Sequence, residues 1–390
     1  MNYHARIPRC AAPSPATLVA RAELLIPSLR ERAADADRNS RLAAETVRSL
    51  RDAGFFRILQ PEFFGGYGMP PSTLWKVTRQ LGRGCGSTAF VMSLLGLHCW
   101  IVGMFEPAAQ AEVFRDGADA IVPNLSIGAR RGIEATRAGG GYVVSGAWDF
   151  ASGIDFADWV IAAIRVPDDA GEIEERLALV EPSEFSVDRD SWNMLGARGT
   201  GSKRVRLANS FIPDHRTIAW AAVEAGEYPG SIVNSGPLYR RTCGGSLLVL
   251  SSAAPVVAVA SAVVDHFTDV MKQRKLQQWM TIDLGRCASQ IHMAHSLLIH
   301  DADEVYDTGL DGEDLGLEMQ ARHRADAAII SRTALAAADQ LISALGTTAL
   351  TSGLPAERAL RDVHTMASHF RVQPEPACEL YGKVLLGVED

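Results

Sequence analysis

The sequence predicts a mostly helical α+β protein built from three consecutive regions: an N-terminal helical domain, a central β domain and a C-terminal helical bundle. Two observations carry this. Apolar residues recur at three- and four-residue spacing toward both ends of the chain, and the stretch between them consists of short β-branched and aromatic runs broken by Gly, Asp and Pro. The length of 390 residues, 47% of them hydrophobic and 22% charged, provides for a large core. The expected divisions are a mobile leader over 1–16, helices over 17–120, the β domain over 121–232 and the bundle over 233–390.

In order along the chain, "LVARAELLIPSLRERAADADR" and "RLAAETVRSLRDAGFF" read as amphipathic helices. In the second, Leu42, Val47 and Leu50 line one face and Gly54 supplies the stop. "LQPEFFGGYGMPPS" breaks the period as a fixed loop, and helices resume at Ser72. Strands are predicted in "GYVVSGAWDFASG", "DWVIAAIRV", "RLALVEP" and "SKRVRLANSFIP". Long helices return after about Val233. Two uncharged runs, Gly84 to Phe105 and Leu247 to Val264, are long enough to span a bilayer. Their serines, glycines, His98 and Pro255 favour buried core helices, so no membrane association is expected.

A net charge of −8 without blocks of like charge argues against a nucleic-acid partner. The six cysteines are scattered, with no C-x-x-C pair, which fits reduced thiols in a cytoplasmic protein. "LGRGCGST" does not fit G-x-G-x-x-G and follows a helical pattern, so no nicotinamide-binding unit is expected. Electrons for any redox chemistry must come from elsewhere.

Four groups of residues are candidates for chemistry. His98 stands in the uncharged helix "FVMSLLGLHCWIVGMF", as a packed histidine or as an imidazole facing a buried cavity. His292, His295 and His300 in "QIHMAHSLLIH" lack enough neighbouring carboxylates for a metal set and are expected on a helix surface or interface; no metal is predicted. "SGAWDFASG" offers the aromatic rings of Trp148 and Phe150 beside the turn at Ser152-Gly153, either as an ordinary hairpin edge or as a wall for a planar ring. In "RDVHTMASHF", His364 and His369 are five positions apart, which on a continuous helix is a rotation of roughly 140° and argues against joint metal ligation.

Several segments together resemble the acyl-CoA dehydrogenase superfamily. These are "LRDAGFFRILQPEFFGGYGM", "SGAWDFASG", "WNMLGARGTGSKRVRLANSFIPDHR", "KQRK" and "ERALRDVH", in the family's order. The resemblance implies an acyl-CoA dehydrogenase-like fold: an N-terminal helical domain, a β-barrel and a four-helix bundle. Counting from Glu357-Arg358 and Arg361-Asp362, the dehydrogenases' catalytic Glu should fall near Phe370, and none is there. The segment "RDVHTMASHFRVQPEPACELYGKVLLG" instead looks like the two-component flavin-dependent monooxygenases that hydroxylate phenols and related aromatics.

That branch implies reduced flavin (FMN or FAD) delivered by a separate NAD(P)H-dependent flavin reductase. Molecular oxygen adds at flavin C4a, and the distal oxygen of the hydroperoxide passes to a small aromatic or polyketide-like substrate. The resemblance also leaves open an amine N-oxygenase or a desaturase. It implies His369 as the base or partner of the substrate hydroxyl, His98 as a positioning group in the same pocket, and Ser152 on flavin N5. It further implies cofactor contacts from Ser126, Trp148, Arg274 and Gly346, and a homotetramer with flavin sites between subunits. Thr347 stands after Gly346 where dehydrogenases often carry Gly-Gly, which leaves FAD against FMN open. Arg371 and Glu375 near the pocket imply a polar or charged feature on the substrate.

Overall fold

The computed structural model describes residues 12–115, 119–125, 133, 135–167, 172–240, 244–275 and 277–388. Helix α1 (Pro15–Asn39) begins where Ser14 Oγ accepts the backbone N–H of Thr17 and Pro15 takes the first helical position. The helical region therefore starts two residues inside the expected leader. Helix α2 (Ala44–Asp52) buries Thr46, Val47 and Leu50 and ends before Gly54, at φ +79°.

Helices α3 (Pro71–Gly82) and α4 (Gly86–Val102) flank the glycine-rich turn, which is a helix–helix junction as its sequence context predicted. Its glycines serve packing. A Cβ on Gly82 would stand 2.4 Å from the Ala258 Cβ, so this glycine lets two helices cross closely. Helix α4 is buried almost throughout, and α5 (Pro107–Val113) leads into the β domain.

The β domain consists of β1 (Asn124–Leu125), β2 (Ala135–Ala138), β3 (Gly141–Ala151), β4 (Val160–Pro167), β5 (Ile173–Val180), β6 (Phe185–Asp188), β7 (Lys203–Pro213) and β8 (Thr217–Ala219). These form two four-stranded sheets, in the orders β1-β4-β5-β8 and β2-β3-β7-β6. Strands β1 and β4 run parallel and the other neighbours antiparallel. Val144, Trp148, Ile164, Val180 and Val205 fill a core between the sheets, separate from the helical core.

After α6 (Trp220–Glu224) come α7 (Gly244–Met271), α8 (Gln278–Asp311), α9 (Leu317–Leu345), α10 (Pro355–Ala367) and α11 (Pro374–Leu386). Helices α7, α8 and α9 pack on one another, α11 lies on α9, and α10 bridges α7, α9 and α4. Helices α7 and α9 are long and apolar enough to cross a membrane, but the apolar stretch of α7 is almost wholly buried against its neighbours. Pro255 inside α7 removes one helical bond, a cost of about 3 kcal/mol. Burial of aliphatic side chains at about 1.5–3 kcal/mol each readily offsets it.

The "ERALRDVH" segment locks the bundle to the N-terminal helices. Arg361 pairs with Glu357 and, through both terminal nitrogens, with Asp37 at 3.1 and 2.9 Å. The neighbouring Asp362 is buried, and its Oδ1 accepts the backbone N–H of Ala197 at 2.7 Å. Burial raises this carboxyl to about 6. Among the described residues, Cys85, Cys99, Cys287 and Cys378 are free thiols.

Candidate active site

Helix α4, the end of β3, the loop leading into β7, α7 and the segment after α10 converge on a cavity of about 350 Å³, a volume suited to a small organic ligand. Phe90, Leu94 and Leu248 give it apolar surface, while His98, Ser152 and His369 bring polar groups to the same space. No Asp or Glu occurs among the described residues that line it.

The end of β3 is where sequence periodicity misleads. Trp148 and Phe150, two apart, should share a face of a regular strand. The register against β7 slips between Trp148 and Ala151, and Phe150 adopts φ +65°. Trp148 accordingly points into the barrel core, fully buried, with its indole N–H donating to the Ala163 carbonyl at 3.0 Å. It does not line the cavity, contrary to the flavin contact expected of it. Phe150 turns outward onto the cavity wall and meets Trp192 edge-to-face at 5.9 Å. A left-handed backbone at a phenylalanine costs roughly 1–3 kcal/mol and is a kind of strain that clusters at functional sites.

Ser152 follows that bend. Gly153, at φ +76°, turns the chain, and its N–H donates to the Thr200 carbonyl at 2.9 Å. An ion pair between the buried Lys203 and Asp155 ties the same two segments. The result is a row of buried hydroxyls: Ser152 Oγ lies 2.8 Å from Ser202 Oγ, and Ser202 Oγ lies 2.7 Å from Thr200 Oγ1.

The two cavity histidines are held differently. Nδ1 of His98 lies 2.9 Å from the Val122 carbonyl, so Nδ1 carries the proton and Nε2 keeps a lone pair. His369 lies beyond the end of α10, where its Nδ1 accepts the backbone N–H of Arg371 at 3.3 Å, which leaves the proton of the neutral ring on Nε2. Burial, reinforced by the Arg371 charge, pushes both imidazoles down to about 3. Both rings are neutral near pH 7.

The other sequence candidates fall elsewhere. Ser126 lies outside the described residues. Arg274 is exposed at the turn after α7, and Gly346 is exposed at the end of α9 with open space around it, so neither reaches the cavity of its own chain. Arg371 lines the cavity, whereas Glu375 is exposed in the first turn of α11. His364 is exposed on α10 and pairs with Asp339 at 2.9 Å. His292 is exposed on α8, and it is His300, with Asp301 and Glu304, that forms a cluster whose ligand atoms lie within 4.8 Å. Glu304 in that cluster is already bonded to His323 and Arg322. Trp192, Thr200 and Ser202 are cavity residues that sequence reasoning passed over, although all three stand in the family-like stretch "WNMLGARGTGS".

The chain and its fold are similar to those of known proteins. Residues 22–114 match the acyl-CoA dehydrogenase N-terminal domain family and residues 250–374 the C-terminal domain family. The flavin-dependent monooxygenase oxygenase subunit HsaA of Rhodococcus jostii (strain RHA1) is 30% identical over 374 residues, 93% of this chain and 96% of that one. The crystal structure of 3-HSA hydroxylase from Rhodococcus sp. RHA1 superposes with a TM-score of 0.91 at 30% identity, covering 96% of this chain and 98% of the other. XiaF from Streptomyces sp. in complex with FADH2 and glycerol gives 0.89 at 26% identity, with 96% of each chain covered.

Fold and cavity thus define an enzyme that carries out flavin-dependent oxygenation on an acyl-CoA dehydrogenase frame. The chain belongs to the acyl-CoA dehydrogenase superfamily, in the branch formed by the oxygenase subunits of flavin-dependent monooxygenases. As an oxygenase component it uses flavin and O2, acts on a small molecule and depends on a separate reductase.

Proposed function

We propose that this enzyme hydroxylates a phenol-type aromatic carrying a polar or anionic substituent, with reduced flavin held against Ser152 and the substrate between His98 and His369. The observation that carries the reading is the pair of neutral imidazoles on one cavity, one with an open acceptor and one with an open donor.

The residues fit a flavin: a row of buried hydroxyls stands beside the edge-to-face pair Phe150 and Trp192, in a cavity with an apolar lining. When bound, the reduced flavin supplies the electrons and the centre at which O2 is activated. The chain's own task is to orient the aromatic ring, exclude water and handle the hydroxyl proton. His98 Nε2 accepts the hydrogen bond of the substrate O–H, drawing electron density into the ring. His369 Nε2–H donates to an oxygen on the other side. This assigns the acceptor role to His98 and reverses the base role expected of His369, because a backbone N–H occupies the second nitrogen of His369. Arg371 offers a fork-shaped cation for a carboxylate or similar group.

The absence of a carboxylate among the described lining residues speaks against a dehydrogenase, which needs one to take an α-proton. A homotetramer is supported by large apolar side chains left exposed on the bundle, among them Trp279, Ile282, Met293, Ile329 and Leu386. In such an assembly Arg274 and Gly346 would serve a neighbouring subunit's flavin, FMN or FAD. The reductase would draw on NAD(P)H, and the free thiols suit a cytoplasmic setting.

The test is oxygen consumption with reductase-supplied flavin and a panel of phenols with and without a carboxylate. Hydroxylated product should form from the acidic phenols, with hydrogen peroxide release falling as product rises. Stoichiometric peroxide with every phenol would refute the reading.

A further inference from the structure

We propose that Thr200 and Ser202 fix the direction of a hydroxyl relay ending on Ser152, and that this direction makes the cavity select reduced over oxidised flavin. The inference rests on the placement of flavin N5 at Ser152 given above and concerns two residues to which that reading assigns no role.

The direction follows from counting protons. Thr200 Oγ1 donates to the Ala197 carbonyl at 2.7 Å, and a carbonyl can only accept. Its single hydroxyl proton is then spent. The 2.7 Å contact between Thr200 Oγ1 and Ser202 Oγ must therefore be donated by Ser202. With that proton spent too, the 2.8 Å contact between Ser202 Oγ and Ser152 Oγ must be donated by Ser152. The relay runs Ser152 to Ser202 to Thr200 to Ala197, and Ser152 is left with open lone pairs and no proton to give.

The terminus is itself anchored. Asp362 accepts the Ala197 N–H at 2.7 Å, which holds that peptide and its carbonyl in place. Ser152, Thr200 and Ser202 are all buried, and a flavin seated on Ser152 would cover the side of the row that faces the cavity, so water is then poorly placed to reverse the relay. Reversal would take the Thr200 hydroxyl away from the Ala197 carbonyl and leave that buried acceptor with only the Thr200 N–H at 3.1 Å. Reduced flavin carries a hydrogen on N5 and can donate to Ser152. Oxidised flavin carries a lone pair there and meets another lone pair. The same serine thus complements one redox state and repels the other.

Anaerobic titration of both redox forms, together with the midpoint potential of bound flavin, tests this without relying on turnover. Thr200→Val frees Ser202 to turn its proton toward Ser152, and Ser202→Ala frees Ser152 directly. Each should lower the oxidised-to-reduced ratio of Kd values about tenfold, equivalent to a fall of about 30 mV in the two-electron potential. Thr200→Ser restores the anchored hydroxyl and should keep the wild-type ratio. If Thr200→Val and Ser202→Ala change both affinities in parallel, leaving the ratio within twofold of wild type, the relay has no directing role and the proposal falls. Ser152→Ala should also collapse the ratio. If it leaves both affinities untouched, flavin does not lie on Ser152, and the placement falls together with the proposal.

Discussion

His98 and His369 have the same side chain and similar surroundings, yet their backbone partners give them opposite hydrogen-bonding sense. Replacing His98 with Asn should lower product formation about 10²-fold or more, the usual reach of a positioned acid–base group. Flavin affinity should stay near wild type and peroxide release should rise; product yield per flavin oxidised is the measurement. His369→Ala should retain more coupled turnover than His98→Asn if the acceptor is correctly placed. At Arg371 the fork geometry predicts a split between substrates. Arg371→Lys should raise KM for a carboxylate-bearing phenol roughly tenfold, about 1.4 kcal/mol of lost bidentate contact, and leave a neutral phenol little changed.

At the scale of elements, two helix crossings carry testable energetics. Gly82→Val would drive a branched side chain into Ala258 on α7 and should cost about 1–3 kcal/mol in urea unfolding, as overpacking does. On α8, Asp301 is fully buried with neither carboxylate oxygen partnered, and burial, with Asp326 adding to it, raises its pKa to about 7. A folded-state pKa above the unfolded value of about 3.9 means that the protonated form is favoured on folding. Its stabilising share is complete below the unfolded value and disappears as pH rises through about 7. Asp301→Asn should therefore raise the unfolding free energy at pH 8 by roughly 1–3 kcal/mol and have little effect near pH 4, as urea titrations at the two pH values would show.

For the whole molecule, the two cavity histidines weaken the fold in acid. His98 and His369 fold with pKa values near 3, below the ordinary imidazole value, so the unfolded chain takes up protons first as pH falls. Stability is fully present above about pH 6.5 and is lost progressively toward pH 3. At pH 5 the loss for the well-buried His98 approaches about 2 kcal/mol, with less for the partly exposed His369. Tm should fall between pH 7 and pH 5, and a variant lacking both imidazoles should show a flatter profile over that range.

The order of helices, strands and helices was legible in the sequence because hydrophobic periodicity is a local property of the chain. So was the missing glutamate near Phe370, which separates oxygenation from dehydrogenation on residue identity alone. His98, Ser152 and His369 were identified as candidates from motif position and do share one cavity. Only tertiary structure decided the rest. A single bulge and one positive φ sent Trp148 inward and Phe150 outward, against the strand's two-residue period. Ser152 and Ser202 are fifty positions apart in sequence and meet at 2.8 Å because β3 and β7 pair there. The direction of that hydroxyl row, like the tautomers of the two histidines, depends on which carbonyl or N–H lies alongside. Residue order specifies side chains, whereas hydrogen-bond polarity is set by the neighbours that folding supplies.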